Sequence, residues 1–229
     1  MQQQNYPPNH ISMNNLCTEL QNEKWIISEK VNQVMHQVDR KDFAPSNPYQ
    51  NFPQDIGCNV VISAPLLHAY CLEALNGYLQ EGCTALDVGF GSGFLTVAMS
   101  KMMNDKGCVV GIEHIKDLYI FGEKNISNHH KNLLDTKKVI LVCGDGRQGC
   151  AEYGPYNCIH VGAAAANVPK ALVEQLAPGG RLVIPVGESG GSQYITIIDK
   201  DMNGKISSKR TLGVCYVPLT SVKKQMGGY

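Results

Sequence analysis

No charge of one sign dominates this chain: 20 Lys and Arg face 20 Asp and Glu, and the formal net charge is zero. The basic stripe that tracks a phosphate backbone is therefore missing, and no nucleic-acid partner is expected. No apolar run approaches the roughly 20 residues of a membrane helix, so no membrane partner is expected either. There is no CxxC pair. The nearest metal-like spacing is Cys158-x-His160, whose side chains would share one face of a strand and fill the core, so no metal is expected. The nine cysteines are odd in number and follow no secretory leader, which points to reduced thiols in a cytoplasmic protein. Heptads are absent as well, and a monomer is the default.

What is present is a chain of 229 residues, 43% hydrophobic, enough to bury a real core in one domain. Residues 1–11 are polar and Pro-containing and read as a loose end. Over 12–80 the sequence predicts a helical annex and a substrate loop. Leu16, Leu20, Val31, Val34, Met35 and Val38 recur at helical spacing, with Ser28 placed as an N-cap. "FAPSNPYQNFPQDIG" reads as irregular, and Pro65 as the start of a helix running to Leu79.

From 81 to 229 the pattern alternates. Strand-like runs at 83–88, 108–113, 138–143, 157–162 and 181–186 enclose helical segments at 93–103, 116–131 and 167–177, the last stopping at "APGG". Two further strands, "QYITIIDK" and "KRTLGVCYVPLT", are joined through "DMNGK". The expected fold is α/β: a doubly wound, mostly parallel, Rossmann-like sheet with an antiparallel edge hairpin and an N-terminal helical annex.

The stretch "ALDVGFGSGFLT" carries the first chemical signal. Read as a dinucleotide fingerprint, Gly89 and Gly91 fit, but Phe94 stands in the third glycine slot and would obstruct close helix packing. Asp87 would sit badly beside a pyrophosphate, yet it suits a ligand bearing an ammonium. S-adenosyl-L-methionine is such a ligand, phosphate-free and cationic. Glu113 ends the second strand, where Rossmann-like sheets place the acid that accepts both ribose hydroxyls. Asp145 of "GDG" ends the third, where its carboxylate could accept from the adenine amine and Gly146 keeps the loop thin. Taken singly, Glu113 is also an ordinary strand-end acid and Asp145-Gly146 an ordinary turn. The tips of successive parallel strands are where ligands bind in such sheets.

After the fourth strand, "HVGAAAANVP" offers neither acid nor aromatic group to activate an amine. A carboxylate acceptor needs no base, because it is already an anion at neutral pH.

The segments "DRKDFAP", "NPYQNFPQDIG", "ISAPLLHAYCLEAL", "VVGIEHIKDL", "GDGRQG", "YNCIHVGAAAANVPKALVEQLAPGGRLVIPVG" and "YVPLT" join the glycine turn in resembling the protein-L-isoaspartate (D-aspartate) O-methyltransferase family over about residues 12–226. The resemblance implies methyl transfer from S-adenosyl-L-methionine, leaving S-adenosyl-L-homocysteine, to the α-carboxylate of isoaspartyl residues in damaged proteins and peptides. It implies Ser63 as the catalytic residue. Cofactor contacts are implied at Val60, Val61, Ile62, Ser63, His68, Asp87, Gly89, Gly91, Ser92, Glu113, His114, Asp145, Gly146, Thr220 and Gln225. An alternative for Ser63 is a helix cap before Pro65. Three positions depart from the family pattern: Val61 in place of a Thr, Leu66 in place of a His and Phe90 in place of a small residue. The alternatives are a methyltransferase for a small carboxylic acid, or a silent S-adenosyl-L-methionine-binding protein. A nicotinamide oxidoreductase is disfavoured by Phe94 and Asp87.

Overall fold

The computed structural model describes residues 12–227, and the expected loose end over 1–11 lies outside them. Two helices open the described chain, α1 (Met13–Asn22) and α2 (Glu29–Gln37). All six residues of the helical apolar pattern are buried. Ser28 caps α2, its Oγ accepting from the Val31 N–H at 3.3 Å. The Ser28 N–H in turn donates to Glu73 Oε1 at 2.7 Å, which ties α2 to α3 (Pro65–Leu75).

Between α2 and α3 the segment expected to be irregular contains a strand. β1 (Gln54–Gly57) pairs antiparallel with β2 (Val60–Ile62) as a separate hairpin. Its turn residues, Cys58 (φ 54°) and Asn59 (φ 57°), are both left-handed, the twist that a two-residue hairpin requires. Pro and Asn around so short a strand, and a Cys where Asn or Gly is usual, concealed it.

The main sheet comprises β3 (Thr84–Val88), β4 (Cys108–Glu113), β5 (Val139–Cys143), β6 (Tyr156–Val161), β7 (Leu176–Val186), β8 (Gln193–Lys200) and β9 (Ile206–Val214). Its order is β5-β4-β3-β6-β7-β8-β9, parallel through β7 and antiparallel across β7-β8-β9. The chain winds outward from β3 to β5 and then returns to β6 on the opposite side of β3. The crevice between the tips of β3 and β6 is thus the topological switch point, where open α/β sheets bind ligands.

α4 (Phe94–Met102) and α5 (Lys116–Asp135) connect the first three strands of the sheet. α5 runs four residues beyond its expected end, with a kink at His130. α6 is shorter than expected, Lys170–Gln175, and "APGG" lies inside β7 as a bulge opposite β6 rather than ending the helix. Pro178 keeps the residue before it out of the helical region, and Lys200 of β8 satisfies the helix end, donating to the Val173 and Leu176 carbonyls at 3.1 and 2.6 Å. One apolar cluster joins residues of α1 to α5 with one face of the sheet, including Leu16, Met35, Leu72, Phe94 and Ile126. A second, with Leu86, Val110, Ile159 and Leu172, lies on the opposite face with α6.

Candidate active site

Three left-handed glycines shape the loop after β3: Gly89 (φ 74°), Gly91 (φ 50°) and Gly93 (φ 89°). A Cβ on Gly93 would lie 2.9 Å from the Ile126 side chain of α5, so this glycine is needed for conformation and for space. α5 contributes Gly122 at the same contact, where a Cβ would lie 2.4 Å from the Gly91 carbonyl. Close helix packing therefore falls to Gly93 and Gly122. Phe94, expected to obstruct that packing, turns instead toward the N-terminal helices. It meets Phe43 edge-on at 5.6 Å and stacks with His68 at 4.7 Å.

Two adjoining cavities, of about 440 and 420 Å³ including their open mouths, lie over the strand tips and share Val60, Gly89 and Gly162. The first is lined by Glu113, His114, Gly146, Thr220 and Gln225, with apolar walls from Ile112 and Leu219. Glu113 is buried, and each of its carboxylate oxygens accepts one backbone N–H, from Gly91 at 3.2 Å and Ile115 at 3.0 Å. It keeps lone pairs for further donors. His114 Nε2 donates to Gln225 Oε1 at 2.8 Å, drawing α7 (Val222–Gln225) toward the cavity. A Cβ on Gly146 would meet Val88 Cγ1 at 2.4 Å, so a side chain there has no room.

The second cavity is lined by Val61, Ile62, Ser63, His68, Asp87, Gly91 and Ser92 among others. Asp87 is buried and accepts from Thr96 Oγ1 at 2.6 Å and from His160 Nδ1 at 2.8 Å. Burial alone would lower the His160 imidazole, but its hydrogen bonds to Asp87 and Cys71 outweigh burial and push its pKa upward. Cys158 enters the apolar cluster as expected, whereas His160 forms this pair. Ser63 is free of capping duty. The N-cap of α3 is Ala64, no side chain caps the helix, and Pro65 leads its first turn.

Of the fifteen expected site residues, fourteen line one cavity or the other. Asp145 lines neither: both its oxygens are engaged by Arg147, at 2.6 to 3.1 Å, and this holds its carboxyl below the usual range. Its neighbour Gly146 reaches the first cavity instead.

Several residues at the site went unmarked in the sequence. Arg40 is completely buried beneath Ser63 and His68, yet it stands in "DRKD", between charged neighbours, and is not among the expected site residues. Gly162 and Val217–Leu219 also line the first cavity, the latter held by a bridge between Pro218 and Ala164; both lie in segments that carry the family resemblance but are not among the expected site residues.

Known proteins resemble this chain over most of its length. Residues 11–224 match the family model described as protein-L-isoaspartate(D-aspartate) O-methyltransferase. The chain belongs to that family. It is 51% identical over 210 residues to a protein-L-isoaspartate O-methyltransferase of Caenorhabditis elegans, covering 92% of this chain and 93% of the relative. Identity to protein-L-isoaspartate O-methyltransferase 1 of Arabidopsis thaliana is 43%, covering 97% and 98%. Among solved structures, a Plasmodium falciparum protein-L-isoaspartate O-methyltransferase in complex with S-adenosyl-L-homocysteine superposes with a TM-score of 0.86. It is 35% identical and covers 92% of this chain and 99% of that one. The family assignment thus rests on nearly the whole chain and includes Val217 to Thr220 of the first cavity.

Proposed function

We propose that this protein transfers the methyl group of S-adenosyl-L-methionine to the α-carboxylate of L-isoaspartyl residues, and of D-aspartyl residues, in damaged proteins and peptides. The observation that carries this reading is the pair of cavities meeting at Gly89 and Gly162, one with a buried acid and apolar walls, the other lined by a serine hydroxyl that caps no helix and pairs with the Tyr216 phenol. The residues fit the cofactor. Glu113 retains lone pairs for ribose hydroxyls, Gly146 leaves a thin slot where a Cβ would clash, and Ile112 and Leu219 give an apolar flank for a ring.

When bound, the cofactor supplies a methyl on a sulfonium. The acceptor oxygen forms a C–O bond to that methyl as the S–C bond breaks, giving an ester and a neutral thioether. Two opposite charges vanish in this step, so a water-excluding pocket favours it. Ser63 donates a hydrogen bond that orients the acceptor carboxylate and need not become a nucleophile. Val60, Val61, Ile62, His68, Asp87, Gly89, Gly91, Ser92, Glu113, His114, Gly146, Thr220 and Gln225 hold the cofactor. Asp145 contributes through the loop that carries Gly146. The resulting ester closes to a succinimide, whose hydrolysis returns part of the damage to normal aspartyl.

The same reading treats residues 1–229 as one methyltransferase domain acting as a cytoplasmic monomer, with no nucleic-acid or membrane partner. Balanced charge supports the expectation of no nucleic-acid partner; among the described residues no helix is long and apolar enough to cross a membrane. The test is a matched pair of peptides, isoaspartyl and aspartyl, incubated with labelled cofactor. Base-labile label on the isoaspartyl peptide alone is expected; equal labelling of both would defeat the specificity, and labelling of small free acids in preference to either would replace it.

A further inference from the structure

Arg40 is among the largest fully buried side chains in the protein, and its charge has no acid beside it. Among the described residues no carboxylate lies within ion-pairing distance of it. Its neighbours Asp39 and Asp42 face elsewhere, Asp39 toward Tyr49 and Lys41 and Asp42 toward His129. The guanidinium donates to the Ser63 carbonyl at 2.7 Å and contacts His68 Nδ1 at 3.2 Å, while its Nε finds no partner. Burying an uncompensated cation is costly, so its retention calls for an account.

A guanidinium has five N–H donors and no acceptor. The contact with His68 therefore requires a lone pair on Nδ1, which leaves the imidazole proton on Nε2. Burial and the nearby Arg40 charge hold His68 well below its ordinary pKa, so the ring is neutral near pH 7. Burial also lowers Arg40, to about 9, which leaves it charged. Stacking on Phe94 fixes the ring plane.

We propose that Arg40 is a positioning residue: by donating to Nδ1 it locks His68 as the Nε2–H tautomer, so that the second cavity presents a neutral N–H beside the Ser63 hydroxyl to an incoming carboxylate. The unpaired cation behind these two donors favours an anionic ligand over a neutral one. The inference rests on the functional reading above only for the identity of that ligand. The carboxylate belongs either to the amino-acid end of the cofactor or to the acceptor, and the two are separable by measurement.

The primary test is nitrogen NMR of ¹⁵N-histidine-labelled protein, with His68 assigned by comparison with His68→Gln. A protonated Nε2 and a bare Nδ1 at pH 7 are expected. A protonated Nδ1, or an imidazolium, overturns the proposal whether or not any variant folds. In Arg40→Met, checked for folding by circular dichroism, His68 is expected to populate both tautomers. A single Nε2–H form persisting there also overturns it. Either the Kd for S-adenosyl-L-homocysteine or the KM for isoaspartyl peptide should rise about tenfold, the effect of losing one hydrogen bond to a charged group. A rise in the first assigns the cofactor's carboxylate and a rise in the second the acceptor's. No change in either defeats the positioning role. A wild-type protein with the expected tautomer but no methylation of isoaspartyl peptide would refute the functional reading and leave this inference standing.

Discussion

The His114 imidazole, just past the tip of β4, donates to Gln225 of α7 across 111 positions of sequence, at 2.8 Å. This bond joins the floor of the first cavity to its roof. In Gln225→Ala the affinity for S-adenosyl-L-homocysteine is expected to fall by about three- to tenfold, as for loss of one net hydrogen bond. Melting temperature should barely change, because α7 has no buried residue. Calorimetric titration reads the effect, and an unaltered Kd would show that the roof stays shut without the bond.

Ser63→Ala separates chemistry from folding. Because no side chain caps α3, the cost to folding is confined to the lost hydrogen bond with Tyr216, about 1 kcal/mol of thermal stability. Turnover on isoaspartyl peptide should drop about 10²-fold, the usual effect of deleting a donor aimed at a reacting oxygen. A stable variant with full turnover would remove Ser63 from the mechanism.

Gly122→Ala tests the glycine turn from outside the loop. The new methyl would lie 2.4 Å from the Gly91 carbonyl and 2.6 Å from the Phe90 ring, so the helix or the turn must shift. Overpacking of this kind costs about 1–3 kcal/mol. Denaturant unfolding should show that loss, together with weaker cofactor binding through displacement of Gly91 and its bond to Glu113. A loss of stability with unchanged binding would mean that the helix alone gives way.

The buried histidines predict a pH dependence. The groups facing His68 are Arg40 and His160, the latter with its own partners Asp87 and Cys71. The unfolded chain protonates His68 below about 6.5, while the folded chain refuses that proton because burial and Arg40 hold the pKa down. Stability should therefore fall as pH drops below 6.5, with a slope of up to about 1.4 kcal/mol per pH unit from this residue. His160 acts in the opposite sense. Its raised folded pKa contributes stability that is full below 6.5 and fades as pH climbs toward that folded value. In melts between pH 4.5 and 7, His68→Gln should lose less stability on acidification than the parent; parallel curves would mean that His68 takes up its proton in the folded state.

The parallel sheet was legible because each buried strand is a short apolar run closed by Gly or an acid, and the runs recur with helices between them. Asp87, Gly89, Gly91, Ser92, Glu113, His114 and Gly146 reach the cavities for a related reason, since they lie at or just past the strand tips. Val60 to Ser63, His68, Thr220 and Gln225 come instead from the β1-β2 hairpin, α3 and the C-terminal segment, and were legible only through the family resemblance. Arg40 was not legible. Charged neighbours on both sides make it look solvated, and only the packing of Phe43 and Phe94 against the Arg40–Asp42 turn hides it. The β1-β2 hairpin escaped notice because its strands are four and three residues long, too short for an alternation to register. The end of α6 falls two residues before the expected one because Leu176 and Ala177 already join β7, a pairing with β6 that 167–177 does not contain.

The roof of the first cavity is made from Val217 to Leu219, Thr220 and Gln225, all of them C-terminal to β9. A chain emerging from the ribosome completes every strand of its sheet, ending at Val214, before any of these residues exists. Scaffold and competence are thus separated in time, and a half-made molecule has the framework of the site without the means to retain what enters it.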